Sequence, residues 1–408
     1  MTRFLRLRIA NSFSSRRAMF RQSAPCLFAI GAMLTLVGCR THDFPDYPSN
    51  YREYAYVTNG GSNTVTVIDV VNVRQDRVIP VGSNPTGLAV NSKRNEVYVV
   101  NTGSNSVSVI DTEKKAVVST IPVRQRPYFI SVNADGTRAY VANSASNNVS
   151  VIDLNKRREI AAIGVGEAPG MAVISPDGNT LVVSNRLGGS VSIVDAKLQK
   201  VRSVWSGCPG ATDIAILPDS SKAFVACSGG HQVMALALAR PQLAVSNPRP
   251  IQQDAFLTLL DVGKSPVNLT LKPDGGEIFA VNYDAGSISE IDTTTNEVGG
   301  AYLVGTHPVS GSISADNSTL YVSNFDADSL GVFSIDESEL IGTARTGDGP
   351  DAMAFSKAGH LLFVVDARSG DVAVIRILTH TLLTMLPAGS KPNDIVVKAF
   401  NVRARATL

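Results

Sequence analysis

A proline, or once an alanine, recurs at positions 85, 127, 169, 211, 266, 308, 350 and 392, and the positions just after it are mostly small or neutral. Tyr128, Phe129, Asp213, Asp351 and Asp394 break that rule, and Arg126 and His307 stand one position before the proline. Turns expected on the same face add Arg186, His231, Tyr283, Asp284, Asp326, Asp328 and Arg368. Carboxylates, imidazoles and guanidinium groups beside aromatic rings offer charge pairing and stacking to a ligand, and proton transfer where acid and base meet. Asp213, Asp351 and Asp394 come from segments that need not adjoin, which favours binding over an acid–base centre. His231 and His307 could meet across an axial opening, but none of the five histidines pairs with another at metal-ligand spacing. A Walker loop, a GxGxxG fingerprint and a nucleophile elbow are missing in usable context. Neither a metal nor a cofactor is expected.

The elements that must carry these residues are short strands. A strand ending in Asn, or a relative of it, returns with its last residue at 59, 101, 143, 185, 227, 282, 324 and 366. The steps are 42 residues except for one of 55. A period of that length marks an array of supersecondary units. Within one unit, Thr86–Asn91, Glu96–Asn101, Val107–Asp111 and Ala116–Val123 have strand lengths and β-branched content, with turn residues between them. Four antiparallel strands repeated around an axis predict an all-β propeller. The chain opens on a second strand near Tyr54 and closes on a first strand, Asn393–Lys398. Joining the two in one sheet removes both raw edges and gives eight four-stranded blades. The alternative is a seven-bladed ring with one quartet outside it.

The repeated asparagines (59, 101, 143, 185, 282, 324) read as strand ends that bond the adjoining turn, and Asp69, Asp111, Asp153, Asp195 and Asp292 read likewise. A residue needed in every unit serves the fold; a site is needed once. The strands Tyr-Val-Xaa-Asn and Val-Ser-Val-Ile-Asp, with the Ser-Pro-Asp-Gly turn at 175–178, resemble the YVTN family of β-propeller repeats over residues 54–398. The resemblance implies a protein of the kind found among bacterial exported and archaeal surface-layer proteins, and it implies a fold far more than an activity. The fifth unit departs from the pattern at Cys227 and Ala237, and the eighth at Asp366 and Arg376.

The overall charge of +2 hides an asymmetry, because residues 1–39 hold six arginines and no acid. Beyond them 31 bases face 35 acids, which gives no electrostatic footprint for nucleic acid. An arginine-rich start, the apolar run Cys26–Gly38 and Leu36-Val37-Gly38-Cys39 read as an export signal (1–39) with a lipobox, so that Cys39 is the lipidation site and the membrane anchor. Ser15–Arg21 also resembles a twin-arginine export motif, and the choice between that route and the general one stays open. Residues 40–53 read as a tether, 54–398 as the propeller and 399–408 as a tail. In an oxidising compartment Cys208 and Cys227 are expected to form a disulfide. The extra 13 residues fall within 239–255, as a proline-bearing excursion from the face opposite the charged mouth.

Together these readings predict a monomeric cell-envelope lipoprotein, anchored in the outer membrane and facing the periplasm. Without catalysis it would bind a small molecule, a glycan or a protein partner at the channel mouth. The alternative is a propeller enzyme with its site in that mouth, either a lactonase-like hydrolase or one that depends on a cofactor.

Overall fold

A computed structural model describes residues 44–239 and 253–402. The export signal with Cys39, the middle of the insertion and residues 403–408 lie outside them. The described strands form eight four-stranded antiparallel sheets, which excludes the seven-bladed alternative. We number the blades by the strand-end series 59 to 366. Blade 2, for example, holds Pro85–Val90, Glu96–Asn101, Ser106–Asp111 and Ala116–Pro122. The first strand of each blade is innermost, and each inner strand packs beside the inner strands of both neighbours, so that the ring closes.

Closure falls in blade 1. There Pro392–Asn401 pairs antiparallel with Tyr51–Asn59, from Tyr51 opposite Asn401 onward. The paired segments therefore reach three residues further at each end than 54 and 398. The expected tether also needs correction. Tyr47 stacks on Tyr51 at 4.7 Å between ring centres, and Phe44 meets His360 edge-on at 5.6 Å, so residues 44–50 rest partly on blade 8.

Both faces of a blade are covered by neighbouring blades, and the second and third strands are buried on both parities, as in Glu96–Asn101. The first large residue of the repeated motif fills the space between blades: Tyr56, Tyr98, Tyr140, Phe224, Phe279, Tyr321 and Phe363 are all essentially inaccessible. Val65 and Val67 of blade 1 share one apolar cluster with Leu88, Val97 and Val99 of blade 2, and the arrangement recurs around the ring. Each such side chain, fully buried, contributes about 1.5–3 kcal/mol.

The strand-end asparagines are buried and structural, but their partners differ from the expected turn backbone. Nδ2 of Asn101 donates to Ser106 and Ser108 Oγ, and Asn185 and Asn282 repeat this with Ser190 and Ser192, and with Ser287 and Ser289. Each asparagine thereby ties its strand to the next. The aspartates do bond turns: Asp111 Oδ1 accepts the Glu113 and Lys114 N–H groups, and Asp153 and Asp195 repeat the motif.

Above most of these asparagines the chain passes so close that only glycine fits, although over Asn143 the equivalent residue is Arg124. A Cβ on Gly82 would lie 2.7 Å from Asn101 Cγ, and one on Gly166 2.5 Å from Asn185 Cγ. In blade 5 the equivalent two positions are Cys208 and Cys227, which form a disulfide across 19 residues. The hydroxyls at the two partner positions have gone as well, replaced by Gln232 and Met234. In blade 8 the asparagine becomes Asp366, buried beside Asp371. Burial and then the neighbouring carboxylate push its pKa up to about 8.

Candidate functional site

All eight inner strands reach the mouth at their proline ends, and they enclose a cavity of about 380 Å³. Of the residues singled out from the sequence, Tyr128, Phe129, Arg186, Asp213, Asp351 and Asp394 line it. Arg126, His231, Tyr283, His307 and Arg368 do not, and stand outside it. Asp351 and Asp394 sit on adjacent blades 8 and 1, whereas Asp213 is across the ring on blade 5.

Two of the three carboxylates have work within the ring. Asp213 Oδ2 accepts the Leu269 N–H at 2.9 Å and Asn268 Nδ2 at 2.7 Å, both on blade 6, while Oδ1 accepts the Ile214 N–H. Asp394 Oδ2 accepts the Leu88 N–H of blade 2 at 2.8 Å, and its Oδ1 accepts the Ile395 N–H. Each carboxylate therefore clamps its inner strand to that of the next blade. Burial pushes the pKa of Asp213 up to about 6 and that of Asp394 up to about 7, against the pull of these N–H donors. The charge of Asp351 raises Asp394 further.

Asp351 stands one column earlier and has no hydrogen-bond or ion partner among the described residues. It opens partly to the channel but is otherwise walled in by protein, and that burial pushes its pKa up to about 6. Four blades round the ring, and so on the opposite wall, Arg186 projects from the turn after Asn185. Its side chain lies over Gly170, where an added Cβ would be 3.8 Å from Arg186 Cδ. The guanidinium has no ion pair among the described residues. Phe129, Met171 and the half-exposed Tyr128 supply an apolar wall between the two charges. Asn268 and Asn393 also line the cavity. Neither stands out in the sequence, because amides are common at neutral turn-side positions.

Tyr283, His307, Asp326 and Arg368 form a separate cluster on the rim of blades 6–8, whereas Arg126 stands apart before the inner strand of blade 3. The His307 ring stacks on Tyr283 at 4.5 Å and bonds Asp326 at 2.5 Å. Arg368 pairs with the other oxygen of Asp326 and lies over the Phe325 ring at 4.3 Å. His307 and then Arg368 hold the Asp326 carboxyl below its usual range. His231 is engaged elsewhere, its Nδ1 accepting the Ser265 N–H. No group of three or more His, Cys, Asp or Glu side chains with metal-binding geometry occurs among the described residues.

Eight closed blades around this mouth make the chain a β-propeller repeat protein. Two family models match parts of it: the YNCE-like beta-propeller over residues 38–174 and the seven-bladed lactonase beta-propeller over residues 307–388. No curated protein matches the chain. Similar solved structures include hydrazine synthase of Kuenenia stuttgartiensis, 21% identical over 79% of this chain and 91% of that one, with a TM-score of 0.54. Dihydro-heme d1 dehydrogenase NirN in complex with DHE is 16% identical, over 86% of this chain and 76% of its own, at a TM-score of 0.71. AztD of Citrobacter koseri is 13% identical, over 87% and 100%, at 0.67. At these identities the likeness is one of fold.

Proposed function

We propose that this propeller binds a small zwitterionic molecule, of the amino-acid or short-peptide class, at its proline-side mouth. The observation that carries this reading is Asp351, a walled-in carboxylate without a partner among the described residues, facing Arg186, likewise unpaired among them, across a cavity of about 380 Å³. An uncompensated charge in such surroundings is costly, and a ligand ammonium or guanidinium group removes the cost. The ligand's acidic group would pair with Arg186, and its apolar body would rest on Phe129 and Met171. No step of this requires catalysis. The structure of NirN, similar in fold, is of a complex with DHE, which supports the use of such a fold for ligands.

The same proposal places the protein in a bacterial envelope, held by a lipid on Cys39 and related to the YVTN repeat proteins. The lipobox-like Leu36–Cys39 supports the anchor, and the Cys208–Cys227 disulfide supports an oxidising compartment.

A thermal-shift screen of the purified protein against amino acids, short peptides, glycans and lactones tests the binding reading. Zwitterions should raise the melting temperature, and Asp351→Asn or Arg186→Ala should abolish the rise. Lactone turnover lost in Asp351→Asn would replace the binding reading with the hydrolase one. For the anchor, metabolic labelling with an alkyne fatty acid should tag the protein but not Cys39→Ser.

A further inference from the structure

We propose that the opposite end of the ring holds a second site, for an amphiphilic carboxylate such as a medium-chain fatty acid, seated on Lys357 and Lys398. The inner strands of blades 8, 1 and 2 end there around a cavity of about 680 Å³. That is ample for a ligand of this size. Most of the side chains around it are aliphatic, Leu88, Val90, Ile395 and Val397 among them, with Phe355 the one aromatic. Lys357 and Lys398 are the charged residues lining it, and no aspartate or glutamate lines it.

Lys398 is unusual in itself. It is only 7% exposed, and its Nζ donates at 2.7 Å to the backbone carbonyl of Asn91. No carboxylate lies within ion-pair distance of it among the described residues. Burial, and then the like charge of Lys357, lower its pKa. Glu53, the nearby acid in blade 1, is already occupied: it accepts the Tyr51 hydroxyl at 2.7 Å and the Lys357 backbone N–H at 2.6 Å. One ammonium with two unused N–H donors, a second ammonium nearby and an apolar wall together ask for an anion with a hydrocarbon body. A carboxylate head would accept from Lys398 and Lys357, and its chain would lie along the aliphatic wall.

Isothermal titration of the protein with octanoate, octanol and inorganic phosphate tests this. Octanoate should bind, with octanol and phosphate each weaker by about tenfold or more, since each lacks one half of the recognition. Lys398→Met should weaken octanoate about tenfold, the loss expected for one charge-assisted hydrogen bond, and Lys357→Gln somewhat less. Lys357 is exposed, so Lys357→Gln keeps the test open if Lys398→Met fails to fold, and unliganded melting curves report which has happened. Failure of octanoate to bind, octanoate affinity unchanged in Lys357→Gln, or equal affinity for octanol or for phosphate would each overturn the proposal. Zwitterion binding at the proline-side mouth is a separate readout and stands or falls independently.

Discussion

The strand-end belt and the axial mouth are built from the same repeat, yet they tolerate change in opposite ways. At two places in the belt a substitution comes with its compensation. Where asparagine becomes Cys227, the glycine packed above it becomes Cys208 and the hydroxyl partners vanish, leaving a disulfide as the local tie. Where Gly331 stands in place of the second hydroxyl, Asn324 turns instead to the Val304 carbonyl at 2.9 Å. At the mouth, Asp351 intrudes with no compensating partner among the described residues. Compensated change preserves a structure, whereas the uncompensated change in the cavity is the one on which the proposed binding site rests.

Perturbing the belt should cost stability, and perturbing the mouth should cost binding. The largest effect is expected from removing the disulfide. Cys208→Ala with Cys227→Ala should lose about 3 kcal/mol, the figure for closing a loop of this length, read from denaturant midpoints. Rebuilding the belt with Cys208→Gly, Cys227→Asn, Gln232→Ser and Met234→Ser should recover most of it; no recovery would mean the two arrangements are not equivalent. Next, Asn101→Ala, which strands Ser106 and Ser108, should cost about 2 kcal/mol.

Asp366→Asn should have the opposite sign. A carboxyl whose folded pKa is raised to about 8 stabilises the fold fully below the unfolded value near 4 and loses that contribution as pH rises toward 8. The variant should therefore gain about 1–3 kcal/mol at pH 7, with the gap closing towards pH 4. A gap independent of pH would show that the carboxyl does not titrate in this way. Smallest of all should be the stability change in Asp351→Asn, under about 1 kcal/mol and slightly favourable at pH 7, because its raised pKa has the same sign. A large destabilisation there would mean that Asp351 is a hidden clamp like Asp394.

Blade number, strand composition and closure were legible because periodicity reports them many times over. Tyr98 and Val99 recur in kind, and a pattern seen eight times leaves little choice of architecture. The belt's internal logic was less visible. Gly82 and Asn101 meet 19 residues apart, and a glycine beside a turn looks like a turn glycine whatever it packs on. At the mouth, charge singled out Asp213, Asp351 and Asp394 alike. The first and third prove to be clamps because their column faces the N–H groups of the next blade, and a one-position shift frees Asp351. Lys357 and Lys398 do not stand out in the sequence because a lysine at or just beyond a strand end looks like an ordinary solvated residue.

Closure by Pro392–Asn401 has a consequence in time as well as in space. Thr58 meets Asn393 across 335 residues of chain, so this contact waits for nearly the whole propeller to be made. The closing strand also carries Asp394 toward one mouth and Lys398 toward the other, on the same face of the strand and roughly 13 Å apart. Neither opening is complete until that strand docks. A ring interrupted before it would lack both of the proposed sites, which form only once folding has finished.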